Sequence, residues 1–262
     1  MMFVLDKWYF DAIGADGTTF IGYTASLRWL GLSVGYDAFL LSPPDAPARE
    51  RASIGTSHSP VRQPDDVAWS SPGLGVAGTW QRTAPRVRRR LHKDGRGSVL
   101  WLCEQPRARA RVEVGDTAVE GTGYVERLRM TLPPTDLPVD TLHWGRFHAR
   151  SETLVWVTWQ YGTGGSWIFR NGRRQTRAGL LEQGIFGLDG GASLEFNGRR
   201  ELRDRRVLPA LAAVPGFRHR AAGKLAGMHE TKWVGRGVLR GANGEPDGWL
   251  IHEEVTWGAH RD

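Results

Sequence analysis

Glu126 is the residue of this 262-residue chain whose neighbours most invite proton chemistry. Alternation along an extended segment puts Tyr124, Glu126 and Leu128 on one face, and Val125 and Arg127 on the other. In His143-Trp144-Gly145-Arg146-Phe147-His148 the same rule groups Trp144, Arg146 and His148, leaving His143 and Phe147 opposite. If both groups face one interior, an acid, a base and an aromatic wall meet there. A carboxyl in an apolar pocket holds its proton more tightly and can donate it near neutral pH. Trp and Tyr faces stabilise a developing carbocation. The competing reading is a buried Glu126–Arg146 ion pair that fixes register, with His148 a structural histidine.

Asp11 is either a second proton donor or the partner of Arg28. Trp8, Tyr9, Trp156 and Trp233 join Tyr124 and Trp144 as aromatic lining, and Arg146 would grip a polar oxygen of a substrate. The twelve tryptophans serve equally as cavity lining and as core filler. Near the end, His229, Glu230, Lys232, Trp233 and Arg236, then His252, Glu253, Glu254 and Trp257, read as barrel-closing strands with a solvated side. No metal or cofactor is expected. His143 and His148 fall on opposite strand faces, no His-x-His occurs, and Cys103 is the single cysteine. The glycine-rich stretches Gly73–Gly78 and Gly162–Gly165 open no amphipathic helix, so a phosphate cradle is not expected. A Gly-x-Ser-x-Gly elbow is lacking as well.

The elements that must hold these residues are strands. Short runs rich in Val, Ile, Trp, Tyr and Phe alternate with Gly, Pro, Asn and Asp. Strands are predicted at Lys7–Ile13, Thr19–Leu30, Leu32–Ser42, Val99–Cys103, Ala108–Val114, Gly123–Met130 and His143–Ala149. Others follow at Leu154–Tyr161, Ser166–Arg170, Ser193–Phe196, Gly227–Leu239 and Trp249–Trp257. Hairpin turns are marked by Ala15-Asp16-Gly17, Asp94-Gly95, Asn171-Gly172, Asp189-Gly190-Gly191 and Asn197-Gly198. One short helix is conceivable, over Arg200–Ala213. Ser42–Pro72 reads as a long loop at a cavity mouth, and Glu113–Gly123 as the boundary between two halves, 1–118 and 119–262. Tyr9-Phe10-Asp11 and Tyr124-Val125-Glu126 echo one another, as a duplicated unit would. The fold class is all-β, an antiparallel barrel or sandwich.

Composition narrows the function. At 40% hydrophobic and 24% charged the chain is globular. With no apolar run long enough to span a bilayer as a helix, no signal-type leader and no disulfide within the chain, a cytoplasmic protein is expected. The net charge of +7 raises a nucleic-acid reading. Arginine supplies nearly all of that charge, and the cluster Arg86, Arg88, Arg89, Arg90, Lys93 and Arg96 suits a guarded strand edge. No nucleic-acid partner is expected.

Lys7-Trp8-Tyr9-Phe10-Asp11-Ala12 resembles the opening of the hydroxyneurosporene synthase (carotenoid 1,2-hydratase) and AttH-like family. Gly123-Tyr124-Val125-Glu126-Arg127, with Leu137-Pro138 and Leu142-His143-Trp144-Gly145-Arg146, is similar to the start of that family's second half. The resemblance implies two consecutive lipocalin-like β-barrels and hydration, isomerisation or cyclisation of an unsaturated lipophilic metabolite without a cofactor. The His-rich, Asn-Trp-Gly segment associated with the carotenoid hydratases is not evident, Leu142-His143-Trp144-Gly145-Arg146 being the nearest stretch, which counts against carotenoid hydration itself and leaves a lipophilic, carotenoid- or isoprenoid-related ligand implied. A non-catalytic carrier of a lipid, isoprenoid or pigment is the alternative, and a carbohydrate-binding β-sandwich with exposed Trp platforms a further one. A homodimer is compatible with each.

Overall fold

The computed structural model describes residues 3–29, 31–160, 164–176, 179–180, 185–207, 227–241 and 245–257. The chain divides into two units, Met1–Pro133 and Pro134–Asp262. Each is an antiparallel sheet, and no α-helix occurs among the described residues. None of their helical turns could cross a membrane, which leaves strands untested.

In the first unit, β1 (Val4–Gly14), β2 (Thr19–Trp29), β3 (Leu32–Ser42) and β4 (Arg49–Gly55) form a meander. Then come β5 (Val61–Arg62), β6 (Asp66–Ser71), β7 (Val76–Arg82), β8 (Val87–Lys93), β9 (Ser98–Val114) and β10 (Thr117–Met130). The sheet runs β4-β3-β2-β1-β10-β9-β7-β6-β5, with β8 paired to β9 alone. The second unit repeats this plan. It holds β11 (Thr141–Ala149), β12 (Thr153–Gln160), β13 (Gly165–Arg170), β14 (Arg173–Gln175), β15 (Gly179–Leu180), β16 (Ile185–Gly187), β17 (Ser193–Arg206), β18 (His229–Arg240) and β19 (Asp247–Thr256). Its order is β14-β13-β12-β11-β19-β18-β17-β16-β15. In both, the first strand sits between the second and the last, so the units share one topology. This is the all-β, two-unit lipocalin-like architecture that the sequence implied.

In each unit one face of many strands meets in a single cluster. In the first unit Trp8, Phe10, Phe20, Phe39, Val67, Trp69, Trp80, Val112 and Val125 pack together. Phe10 stacks on Trp69 at 5.0 Å and leans on Trp80 at 4.9 Å. Trp80 Nε1 donates to the Asp11 carbonyl at 2.7 Å, which satisfies its only polar atom. Burying side chains of this size contributes about 1.5–3 kcal/mol each. In the second unit Phe147, Leu154, Trp156, Ile168, Leu194, Leu239 and Leu250 make the equivalent cluster.

Several local expectations change. The division falls after Pro133, because Thr117–Met130 pairs along its length with β1 and β9. Gly115 in the expected boundary is only the turn of the β9–β10 hairpin, with a φ of 57°. The loop expected at Ser42–Pro72 contains β4, β5 and β6. Val99–Cys103 and Ala108–Val114 are one strand. Proline cannot donate to a ladder, and around Pro106 the register shifts and the neighbour of β9 changes from β8 to β7. Asn197-Gly198 marks a bulge within β17 where a hairpin turn was expected. Arg200–Arg206 of the expected helix is strand, and 208–213 lies outside the described residues. The Arg88–Arg90 run is exposed on β8, a strand with one neighbour.

Candidate acid–base and ligand-binding site

Glu126 and Tyr124 share a face of β10, as alternation requires, and the carboxylate is tied down. The Tyr124 hydroxyl donates to Glu126 Oε2 at 2.6 Å, and Trp101 Nε1 donates to the same oxygen at 2.5 Å. An oxygen that accepts twice is not a donor, so a proton carried by Glu126 belongs on Oε1. Cys103, from β9, hydrogen-bonds the Tyr124 hydroxyl. Burial pushes both the Tyr124 phenol and the Cys103 thiol well above their ordinary values, so both stay neutral.

The strand beside this network carries the other predicted residues. Tyr9 stands opposite Glu126, and Asp11 opposite Tyr124. The Tyr9 ring meets Tyr23 edge-on at 5.4 Å and Tyr124 at 6.0 Å. Asp11 is wholly buried. Trp8, one residue on, points to the opposite face and joins the core cluster. Trp8 and Tyr9 therefore cannot line one wall.

The remaining predicted residues lie in the second unit, on two faces. Trp144, Arg146 and His148 share one. Arg146 and His148 are buried, and Arg146 Nη1 lies 3.3 Å from His148 Nδ1. Arginine only donates, so that nitrogen accepts, and in a neutral His148 the ring hydrogen sits on Nε2. Trp144 sits 5.9 Å from Lys232 Nζ. The side chain of Lys232 is completely buried, paired with Glu253 and, at 3.3 Å, with Glu230. Arg203 reaches Glu230 at 3.3 Å as well. The face expected to be solvated is thus a buried charge network.

Trp156 and Trp233 take the other face, around His252. The His252 ring lies between His143 and Trp233, each 5.6 Å away and within 18° of parallel. Phe196 at 5.5 Å and Trp156 at 6.1 Å complete the cage. Gly145 makes room for it, since a Cβ there would lie 2.2 Å from Trp156 Cζ2. Burial, reinforced by His143 and Arg199, holds His252 down to about 3. Burial lowers His143 too, against the pull of Glu254. The acid, base and aromatic wall therefore do not meet in one unit. Glu126, Tyr124, Asp11 and Tyr9 belong to the first, and Arg146, His148, Trp144, Trp156 and Trp233 to the second.

The interior of the first unit is filled. Phe10, Phe20, Trp69 and Trp80 are at most 2% exposed. A cleft of about 180 Å³ lies over Trp8, lined partly by Ser57, Ser59 and Arg62 from the supposed loop. Of the twelve tryptophans, Trp29, Trp167, Trp233 and Trp249 are half-buried and the others are buried.

No protein-family model matches the sequence, and no curated protein does. Solved structures match over almost the whole chain. The crystal structure of CghA with Sch210972 aligns at a TM-score of 0.62 with 13% identity, over 97% of this chain and 89% of that one. A putative AttH from Nitrosomonas europaea aligns at 0.54 with 12% identity, covering 97% and 92%. This is the AttH-like fold. Kievitone hydratase from Nectria haematococca shares it, at 0.55 with 10% identity, over 97% and 89%. At such identities the likeness carries the architecture, and the AttH-like fold alone assigns no chemistry.

Trp101, Cys103 and His252 were absent from the predicted site. Trp101 and Cys103 did alternate within a predicted strand, but nothing in the sequence said that this strand pairs with Glu126. His252 stood in a segment read as a barrel-closing strand with a solvated side.

Proposed function

We propose that the protein binds an unsaturated, lipophilic metabolite and promotes its hydration, isomerisation or cyclisation by shape and proton transfer. The observation that carries this reading is the double hydrogen bond on Glu126 Oε2 from Tyr124 and Trp101, beside the Tyr9 and Tyr23 rings. It supports an oriented carboxyl whose transferable proton is carried on Oε1. Transfer of that proton to a substrate double bond leaves a carbocation, which aromatic faces stabilise. Addition of water, loss of a different proton, or attack by a second double bond then gives the hydrated, isomerised or cyclised product. In each case the released proton returns to the carboxylate. Asp11, buried opposite Tyr124, is the second carboxyl of this assignment. That fold relatives include a hydratase is compatible with it.

The test begins with mass spectrometry of small molecules that co-purify with the protein. The recovered compound is then incubated with the protein in deuterated water. Deuterium at carbon, or a changed mass, is expected with the wild type and is lost in Glu126→Gln carrying an unchanged circular dichroism spectrum. A compound returned unlabelled would make the protein a carrier. Full labelling by Glu126→Gln would remove Glu126 from the reaction.

A further inference from the structure

The cleft over Trp8 in the first unit differs in character from the Glu126 face. Its floor is the Trp8 indole, with the Arg127 guanidinium 5.2 Å and the Arg62 guanidinium 5.8 Å from the ring centre. Asp6, Thr24, Ser26, Ser57 and Ser59 are among the residues that complete the lining. We propose that this cleft is a binding site for a small organic carboxylate of roughly benzoate size, independent of the lipophilic site.

Charge comes first. Arg127 donates Nε to Asp6 Oδ1 at 2.8 Å and Nη2 to Asp6 Oδ2 at 2.5 Å, and Arg129 lies 3.9 Å from the same carboxylate. Arg62 and Arg86 share Glu104, at 2.9 and 3.3 Å. Of these groups Arg62, Arg127 and Asp6 line the cleft itself, two guanidiniums to one carboxylate, which leaves one positive charge in excess there. Each guanidinium has five N–H donors in a fixed fork, and Asp6 engages two of those of Arg127. A ligand carboxylate offsets that excess and supplies acceptors to the Arg62 and Arg127 guanidiniums, with the hydroxyl residues able to donate beside them.

The wall is also built in advance. Ser57 and Ser59 flank His58, and His58 is held at three points. Its N–H donates to Asp37 Oδ1 at 3.2 Å, its Nδ1 lies 2.5 Å from Asp37 Oδ2, and its carbonyl accepts from Trp69 Nε1 at 3.0 Å. Asp37 is buried and also accepts from Ser71 Oγ at 2.9 Å. Gly35 lets the segment lie close, because a Cβ there would come within 2.4 Å of the Thr56 carbonyl carbon. Pre-set donors of this kind lower the ordering cost of binding. The size follows from the volume. A cavity of about 150 Å³ holds benzene, so 180 Å³ admits one ring with a carboxylate.

The probe is benzoate, titrated into the full-length protein by calorimetry and by amide chemical shifts. Saturable binding is expected, with shifts concentrated on Asp6–Trp8 and Ser57–Arg62. Benzamide, neutral and of the same shape, is expected to bind at least about tenfold more weakly, as the loss of a charge-assisted hydrogen bond implies. Arg62→Gln, on a half-exposed side chain, should weaken benzoate by a similar factor at unchanged melting temperature. If that variant melts lower, Ser59→Ala replaces it, with a smaller loss expected. The proposal is overturned by an absence of binding at about 10 mM benzoate, by equal binding of benzamide, by full affinity in the variant, or by shifts that map elsewhere. None of these outcomes bears on Glu126.

Discussion

Tyr9 and Glu126 stand opposite each other on antiparallel neighbours, β1 and β10, in direct register. With Asp11 opposite Tyr124, this places two aromatic–acid pairs side by side in one sheet. The likeness of Tyr9-Phe10-Asp11 to Tyr124-Val125-Glu126 is therefore cross-strand complementarity within a single unit. The internal repeat is the strand plan, which begins again at β11.

Tyr124→Phe removes the hydroxyl donor to Glu126 Oε2 and keeps the ring against Tyr9. Deuterium labelling of the bound metabolite should drop by about ten- to a hundredfold, the usual scale for a positioning hydrogen bond at an acid–base group. Its pH profile should shift too, which a purely structural role would not produce. An unchanged rate and profile would separate Tyr124 from the chemistry.

Lys232→Met should destabilise the second unit by about 3–5 kcal/mol, since it takes the ammonium from Glu253 and leaves Glu230 with Arg203 alone. Urea unfolding followed by tryptophan fluorescence measures it. Adding Glu253→Gln to that variant should recover much of the loss. A neutral single substitution would show that water enters this face.

Gly145→Ala drives a methyl group onto the Trp156 indole and to 2.8 Å from the Ile251 carbonyl oxygen. Overpacking of this kind costs about 1–3 kcal/mol. The melting temperature should fall and the tryptophan emission change, because the displaced indole is part of the His252 cage. If thermal melting matches the wild type, the close approach is not as described.

His252 gives a signed pH dependence. Its folded value is depressed from the ordinary 6.5 to about 3, so the unfolded chain binds more protons below pH 6.5. Stability from this group is complete above 6.5 and is lost as pH falls toward 3, at up to about 1.4 kcal/mol per pH unit. His143, lowered in the same direction, adds to the slope. Unfolding free energies between about pH 7.5 and about pH 5 should be flatter in His252→Phe, which keeps an aromatic ring in the stack. An identical slope in that variant would assign the pH dependence to other groups.

Strand positions and faces were legible because a period of two is written locally. Trp144, Arg146 and His148 do share a face, and Tyr124 does sit with Glu126. Pairing was not legible, since it depends on which distant strand lies alongside. Nothing in the residues around Glu126 announces Trp101. Nothing around Trp156 says that it faces His252 and turns away from Arg146, although register makes Trp156 the neighbour of Gly145. The loop expected at Ser42–Pro72 failed for a related reason. Proline, serine and aspartate punctuate strands too short to show alternation, such as Val61–Arg62. The C-terminal strands were expected to have a solvated side, yet Lys232 closes on Glu253 with its own side chain fully buried.

Because the first strand of each unit lies between the second and the last, folding order is constrained. Leu5 finds Met130 only after the whole of the first unit has been made, and Thr141 waits likewise for Thr256. Until then β1 and β11 each present an open, hydrophobic edge to other chains. Contacts so distant in sequence slow folding through their loop-closure entropy. A nascent chain stalled between β9 and β10 is thus the species most exposed to aggregation, and release of one further hairpin strand ends that exposure.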